Sequence, residues 1–268
     1  MNLSGIILAG GKSRRFNFNK IAIKIGKIPL FINQIYKLSF FCNEIWVSTN
    51  EKNYAAIHEE IKRIEDYRKY FNCLEEIKEI PAIRVVVDED SFKNKKLTNI
   101  GPIGGIYSGL NNAKNYYSIV LAFDMPFITY NLLKLLVPRR QSNNNNKSKL
   151  KDVVAIKTTK GFEVLCSLYS KGCLNIIKRN IGKKKYKVSD IFSEAEVKMI
   201  SENELECYDI DKLNFFNINT SKDYDAFIRL FSEEVLRNDS NNFDNRFCKK
   251  WKDFFYRGSC RRTEEEKI

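Results

Sequence analysis

Short apolar runs alternating with amphipathic stretches set the frame of this chain. Ile6-Ile7-Leu8-Ala9 is a four-residue apolar run that stops at Gly10-Gly11, as a buried parallel strand does where it enters a loop. From Pro29 to Phe41 the apolar residues Leu30, Ile32, Ile35, Leu38 and Phe41 recur at helical spacing. Residues 45–49 and 84–87 predict a second and a third strand, separated by a charged, helix-forming stretch over 51–79. The third strand ends in Asp88-Glu89-Asp90. Gly101-Pro102 opens a helix running to about Ala113, and 117–123, the most apolar strand, stops at Asp124-Met125-Pro126. Residues 153–156, 162–169 and 215–220 predict three further strands, the last followed by a helix from Ser221. Strands alternating with helices predict an α/β chain, a three-layer Rossmann-like fold with a mostly parallel sheet. Ligands of such sheets sit outside the carboxyl ends of the strands. Gly10-Gly11, Asp88-Glu89-Asp90 and Asp124 all fall at those ends.

The alternation fades after about residue 232. One domain over 1–232 is therefore expected, followed by an appended tail over 233–268 with a helix around Phe247–Tyr256. Residues 139–151, with four consecutive asparagines, read as an exposed low-complexity loop. At 268 residues the chain is long enough to bury a sizeable core. It has no apolar run of membrane-spanning length, and its start makes a poor secretory signal, so a cytoplasmic protein without a membrane role is expected. Its seven cysteines are scattered without a C-x-x-C pair, which argues against a disulfide framework. The single histidine, His58, lies in a charged helical stretch. Chemistry here must run on carboxylates, lysine, arginine and backbone amides. The formal charge of +13 suits a phosphate-rich substrate, but the lysines are spread along the chain. Charge alone therefore makes a weak case for nucleic acid, and none is expected as a partner.

Five motifs carry the candidate chemistry. In Leu8-Ala9-Gly10-Gly11, followed by Lys12, Arg14, Arg15 and Lys20, a glycine pair lets backbone N–H groups approach an anion. Four basic side chains within nine residues of the glycines favour phosphate binding over a plain strand turn. The spacing matches neither a Walker-type loop nor G-x-G-x-x-G. Asp124, directly after a buried strand, suits Mg²⁺, which takes one or two carboxylates plus substrate phosphates; a turn or capping role is the alternative. Of Asp88, Glu89 and Asp90, one functional member is the most that a solvated acidic loop allows. In Gly101-Pro102-Ile103-Gly104-Gly105-Ile106-x-x-Gly109-Leu110, Pro102 fits a first helical turn. Gly105 and Gly109 fit close helix packing, and Gly101 could let a planar base lie against the chain. In Asn217-Ile218-Asn219-Thr220 the amides could join a metal shell, with capping by Thr220 or Ser221 the equal alternative.

In this order, the motifs resemble the molybdenum cofactor guanylyltransferases, a branch of the nucleotide-diphospho-sugar-type transferases. The resemblance covers roughly residues 3–230. Leu-Ala-Gly-Gly and Asp-Met-Pro point to the guanylyl branch rather than the cytidylyl one, which tends to carry Leu-Ala-Ala-Gly and Asp-Gln-Pro. It implies transfer of GMP from GTP to the phosphate of Mo-molybdopterin, with Mg²⁺ as cofactor, and allows molybdoenzyme or cofactor-pathway partners. It further implies nucleotide contacts from Leu8, Ala9, Gly10, Gly11, Lys20, Asp90, Gly101 and Asp124, with a looser match at Ser48. Lys20, Arg15 and Asp124 would be catalytic, and Asp124 with Asn219 would hold the metal. The chain departs from the family at Phe16-Asn17 and Asn19, where a glycine and an acid are usual, and residues 60–80 and 139–151 look like insertions. A cytidylyl or sugar-phosphate transferase of the same fold is the nearest alternative reading. A non-catalytic basic nucleic-acid-binding protein is the more distant one.

Overall fold

The structure, a computed structural model, describes residues 1–10, 20–25, 27–71, 79–88, 100–138, 151–205 and 213–232, with Lys252 and Tyr256. Strand β1 (Ser4–Leu8) is followed by a short 3-10 turn at Lys20–Ala22, the two-stranded ribbon β2 (Lys24–Ile25) and β3 (Ile28–Pro29), and helix α1 (Leu30–Ser39). Next come β4 (Glu44–Thr49), α2 (Glu51–Lys62), α3 (Ile64–Arg68), β5 (Ala82–Val87), α4 (Pro102–Asn112) and β6 (Tyr117–Ala122). The second half holds α5 (Tyr130–Leu136), β7 (Val153–Thr158), β8 (Gly161–Ser170), α6 (Cys173–Gly182), β9 (Val197–Ser201), α7 (Glu202–Leu205) and α8 (Ser221–Ser232).

Seven strands form one sheet in the order β5-β4-β1-β6-β8-β7-β9 among the described residues. β1 pairs in parallel with β4 on one side and β6 on the other, and β5 extends the parallel run beyond β4. β8 alone runs against its neighbours β6 and β7, so the sheet is mostly parallel, as expected. Because the chain proceeds from β1 towards β4 and β5 and then crosses back to β6, the topological switch point lies between β1 and β6, where sheets of this kind form a ligand crevice outside the carboxyl ends.

The alternation of each strand feeds two cores, one on each face of the sheet. Ile7, Ile119 and Leu121 join α1 and α5 in one cluster; Ile6, Leu8 and Val120 join α4 and α6 in the other. On α4 the glycines bring helix and strand together. A Cβ on Gly109 would lie 2.6 Å from Ile6 Cγ2, and one on Gly105 would lie 2.9 Å from Leu8 Cδ2. Gly105 and Gly109 therefore serve the close packing expected of them. α1 is buried along nearly its whole length, including Asn33, Gln34 and Lys37. Burying its aliphatic and aromatic side chains is worth roughly 1.5–3 kcal/mol each. The polar residues cost free energy there unless they are hydrogen-bonded.

One sequence expectation fails. Residues 215–220 form no strand: they run as irregular backbone into α8. Ile218 N donates to Asp124 O (3.0 Å) and Asn217 Nδ2 to Phe215 O (3.0 Å), so the segment docks through hydrogen bonds outside any ladder. The expected alternation of Asn217 and Asn219 on one strand face falls with it. The loop over 139–150, the 72–78 part of the 51–79 stretch and nearly all of the tail lie outside the described residues. Among those described, no helix is long and apolar enough to cross a membrane.

Candidate active site

The carboxyl end of β1 continues into Ala9-Gly10, whose backbone is tied to the neighbouring strand end. Ala9 N donates to Ser48 O (2.7 Å) and Asn50 Nδ2 to Gly10 O (2.9 Å). Asn50 also caps α2, its Oδ1 accepting from Asn53 N (3.0 Å). One side chain thus ties the start of a helix to the backbone of Gly10 after β1. Asn50 was not among the expected site residues, though an asparagine at the end of a strand and the start of a charged helix is a capping signal.

Asp88 closes this corner. Its N–H donates to Thr49 O (2.8 Å), Ser48 Oγ donates to its Oδ1, and Ser108 Oγ donates to its carbonyl (3.3 Å). Its carboxylate lies flush against the glycine turn: a Cβ on Gly10 would sit 2.7 Å from Asp88 Oδ2. Of the acidic run, Asp88 is therefore the member seen at the crevice. Glu89 and Asp90 lie outside the described residues, as do Gly11 and Arg15.

Across the switch point, three residues distant in sequence converge. Lys20 Nζ lies 2.5 Å from Asp124 Oδ2 and 2.9 Å from Asn219 Oδ1. The Lys20 side chain is 11 % exposed and that of Asp124 16 %, so the pair is largely removed from water but still open to the crevice. The ammonium also stands 5.8 Å from the centre of the Phe123 ring. Asp124 Oδ1 takes no hydrogen bond from the described residues. Asn219 is held by its own backbone: Asp223 Oδ2 accepts from Asn219 N (2.9 Å) and Thr220 N (2.8 Å), while Thr220 Oγ1 accepts from Asp223 N (3.2 Å). This is a capping box at the start of α8. Burial raises the Asp223 carboxyl, but these hydrogen bonds outweigh it, helped by the nearby Lys20 charge, and hold it below the usual range. Thr220 thus has the capping role weighed for it. Asp223 was missed, although Thr-x-x-Asp ahead of an apolar helix is the pattern that reveals it.

Gly101 caps α4 with φ of 75°, a conformation that favours glycine, and no atom lies within 4 Å of where its Cβ would be. The structure therefore brings Leu8, Ala9, Gly10 and Ser48 to one side of the crevice and Lys20, Asp124 and Asn219 to the other. Among the described residues there is no group of three or more His, Cys, Asp or Glu placed to hold a metal. A carboxylate with one oxygen unbonded among the described residues, beside an amide oxygen, is nonetheless a donor set that suits a hard cation shared with substrate phosphates.

An open parallel sheet with a glycine turn, a lysine and a strand-end carboxylate at its switch point defines a nucleotide-handling α/β protein. The chain belongs to the MobA-like NTP transferase family, whose model matches residues 5–197, and it is a nucleotidyltransferase. It is 26% identical over 222 residues to the molybdenum cofactor guanylyltransferase of Desulfosudis oleivorans, covering 82% of this chain and 92% of that protein. It is 28% identical over 233 residues to a probable molybdenum cofactor guanylyltransferase of Clostridium perfringens strain SM101, covering 84% and 96%. Molybdopterin-guanine dinucleotide biosynthesis protein A from Archaeoglobus fulgidus has a similar fold, with a TM-score of 0.63 at 20% identity, over 86% of this chain and 100% of that one. A 4-diphosphocytidyl-2C-methyl-D-erythritol synthase from Anaerococcus prevotii shares the fold at a TM-score of 0.52 and 13% identity, over 85% and 96%.

Proposed function

We propose that the chain transfers GMP from GTP to the phosphate of Mo-molybdopterin, releasing pyrophosphate. The convergence of Lys20, Asp124 and Asn219 beside the glycine turn carries this reading, and the names of the relatives favour this acceptor. An acceptor phosphate oxygen attacks the α-phosphorus; a P–O bond forms there as the bond to the β-phosphate oxygen breaks. The attacking phosphate is already anionic, so the step needs no strong general base. Its demands are alignment and neutralisation of charge on the α-phosphate and the leaving pyrophosphate. Lys20 supplies a positioned cation for that charge, and Arg15 a second. Asp124, with Asn219 beside it, would hold Mg²⁺, which when bound neutralises phosphate oxygens. Leu8, Ala9, Gly10 and Gly11 receive the nucleotide through backbone, and Gly101 and Ser48 flank it.

Either Asp88 or the Asp90 of the family resemblance would meet the base. Asp88, turned to the glycine face, offers acceptors to the donor edge of guanine, which includes the exocyclic amine. The same-fold alternative is a cytidylyl or sugar-phosphate transferase, and nucleotide choice separates the two. Calorimetry with GTP and Mg²⁺, with CTP and ATP as competitors, is expected to show selective GTP binding, followed by pyrophosphate release when molybdopterin is supplied. Preference for CTP would move the protein to the cytidylyl branch, and no nucleotide binding would favour the non-catalytic reading.

A further inference from the structure

The turn that carries Asp124 makes no regular structure, yet each of its four consecutive carbonyls meets a donor. Phe123 O and Met125 O accept from Gln34 Nε2 (3.5 and 2.7 Å), Asp124 O from Ile218 N (3.0 Å) and Pro126 O from Lys37 Nζ (2.5 Å). Gln34 and Lys37 stand one turn apart on α1 and approach the 123–126 turn from 89 to 91 residues away in sequence. Gln34 is 0% and Lys37 2% exposed. A lysine in such a place is costly: burial pushes its ammonium down to about 7, against a smaller opposing effect of Cys166 on β8. Methionine would fill a similar volume with no polar head to desolvate. A packing role therefore explains neither residue, and Gln34 Oε1 has no partner among the described residues, so only its donor end is used. Buried carbonyls need donors, and a turn held out of helix or strand to present a carboxylate cannot supply its own.

We propose that Gln34 and Lys37 are positioning residues that fix the 123–126 turn and so hold the Asp124 carboxylate in register with Lys20 and Asn219. They touch no substrate and act through Asp124 alone. Either protonation state of the lysine can donate to Pro126 O, so the clamp does not depend on its charge. The proposal rests on the nucleotidyl-transfer reading above for its effect on rate, but its geometry stands apart from that reading.

The test uses the full chain with Lys37→Met and Gln34→Met, and the exposed Lys62→Met as control. Pyrophosphate release from GTP with molybdopterin gives kcat and KM, and hydrogen exchange is followed over residues 121–129. Displacement of a reacting group by about 1 Å can cost on the order of 10²-fold. Each clamp variant is expected to lose about 10- to 100-fold in kcat, with KM for GTP within about twofold, and to exchange faster over 121–129 but not over β1 and β4. Lys37→Gln, which keeps a donor, should recover part of the loss; equal loss in Lys37→Gln and Lys37→Met would overturn the assignment. So would wild-type kcat, or unchanged exchange at the turn, in both methionine variants. If the unsubstituted chain released no pyrophosphate from GTP, the proposed function would fall, and the exchange result alone would uphold or sink the clamp.

Discussion

The two ends of the sheet each hold a largely buried carboxylate, and the contrast between them shows how site and scaffold differ. At the amino end, Glu44 of β4 is saturated. Ser4 Oγ and Lys114 N donate to its Oε1, both at 2.6 Å, while Trp46 Nε1 (3.3 Å) and Arg84 Nη1 (3.5 Å) donate to Oε2. Burial raises its carboxyl, but the hydrogen bonds from Ser4, Lys114 and Trp46 outweigh it and hold it below the usual glutamate range. Glu44 thereby staples the start of β1, the start of β4 and the connection between α4 and β6. At the carboxyl end, Asp124 has one oxygen on Lys20 and no hydrogen bond to the other among the described residues. A carboxylate whose acceptors are all used holds a fold together. One with an oxygen unbonded among the described residues, on a turn clamped by others, keeps capacity for a ligand.

Removing the charge at each end should separate the two roles. Asp124→Asn keeps the shape and an acceptor for Lys20. It is expected to lower turnover on the order of 10²- to 10³-fold, with little change in Tm and weaker Mg²⁺-dependent GTP binding. Turnover within tenfold of the unsubstituted chain would remove Asp124 from the chemistry and leave its carboxylate as a partner for Lys20.

Much of this contrast was legible in the sequence at one end only. The apolar runs of β1, β4, β5 and β6 stand out because parallel strands buried on both faces read as continuous hydrophobic stretches. The polar residues that interrupt them then fall at the carboxyl ends by construction. Asp124 and Gly10-Gly11 could be found in that way, and Lys20 through the run of basic residues that follows the glycines. Glu44 could not, because a glutamate opening a strand looks like any solvated charge until Ser4 and Lys114 are brought beside it. Gln34 and Lys37 were hidden for the same reason: their partners lie about ninety residues away. β9 is a short strand at the sheet edge with only Ile200 buried, and α5 is barely two turns, so neither gives a sustained period. Residues 215–220 carried the composition of a strand because Phe216 and Ile218 pack on the core, yet their backbone docks on Asp124. Composition reported the burial and missed the pairing.

Glu44→Gln should show the opposite profile to Asp124→Asn. An amide nitrogen must face donors at one of the two oxygens, which costs about 1–3 kcal/mol at a buried site. Turnover at a temperature where the variant stays folded is expected to match the unsubstituted chain. The sign of the pH effect follows from the lowered folded pKa. Glu44 contributes stability that is present above the ordinary unfolded value of about 4.3 and is lost as pH falls through the folded one. Denaturation followed down that window should therefore be steeper in the unsubstituted chain than in Glu44→Gln. Parallel slopes would show that the network does not discriminate the ionised form.

Asp223 lies between these two kinds of carboxylate and should give the smallest effect. It is a scaffold residue by its bonds, capping α8 through the Asn219 and Thr220 amides, but the backbone that it holds belongs to the site. Asp223→Ala removes one side of a capping box and is expected to cost about 1 kcal/mol. That loss should be largest above the usual aspartate range and fade as pH falls through the lowered folded pKa, where the unsubstituted carboxyl is itself protonated. Asn219 would keep its side chain but lose an anchor for its backbone, so turnover should fall a few-fold while KM for GTP stays nearly constant, since Lys20 and the glycine turn are unaffected. Thermal denaturation and steady-state rates measured on the same variant decide the point. A stability loss with no change in turnover would place Asp223 wholly with Glu44 in the scaffold and would show that Asn219 is held by Lys20 alone.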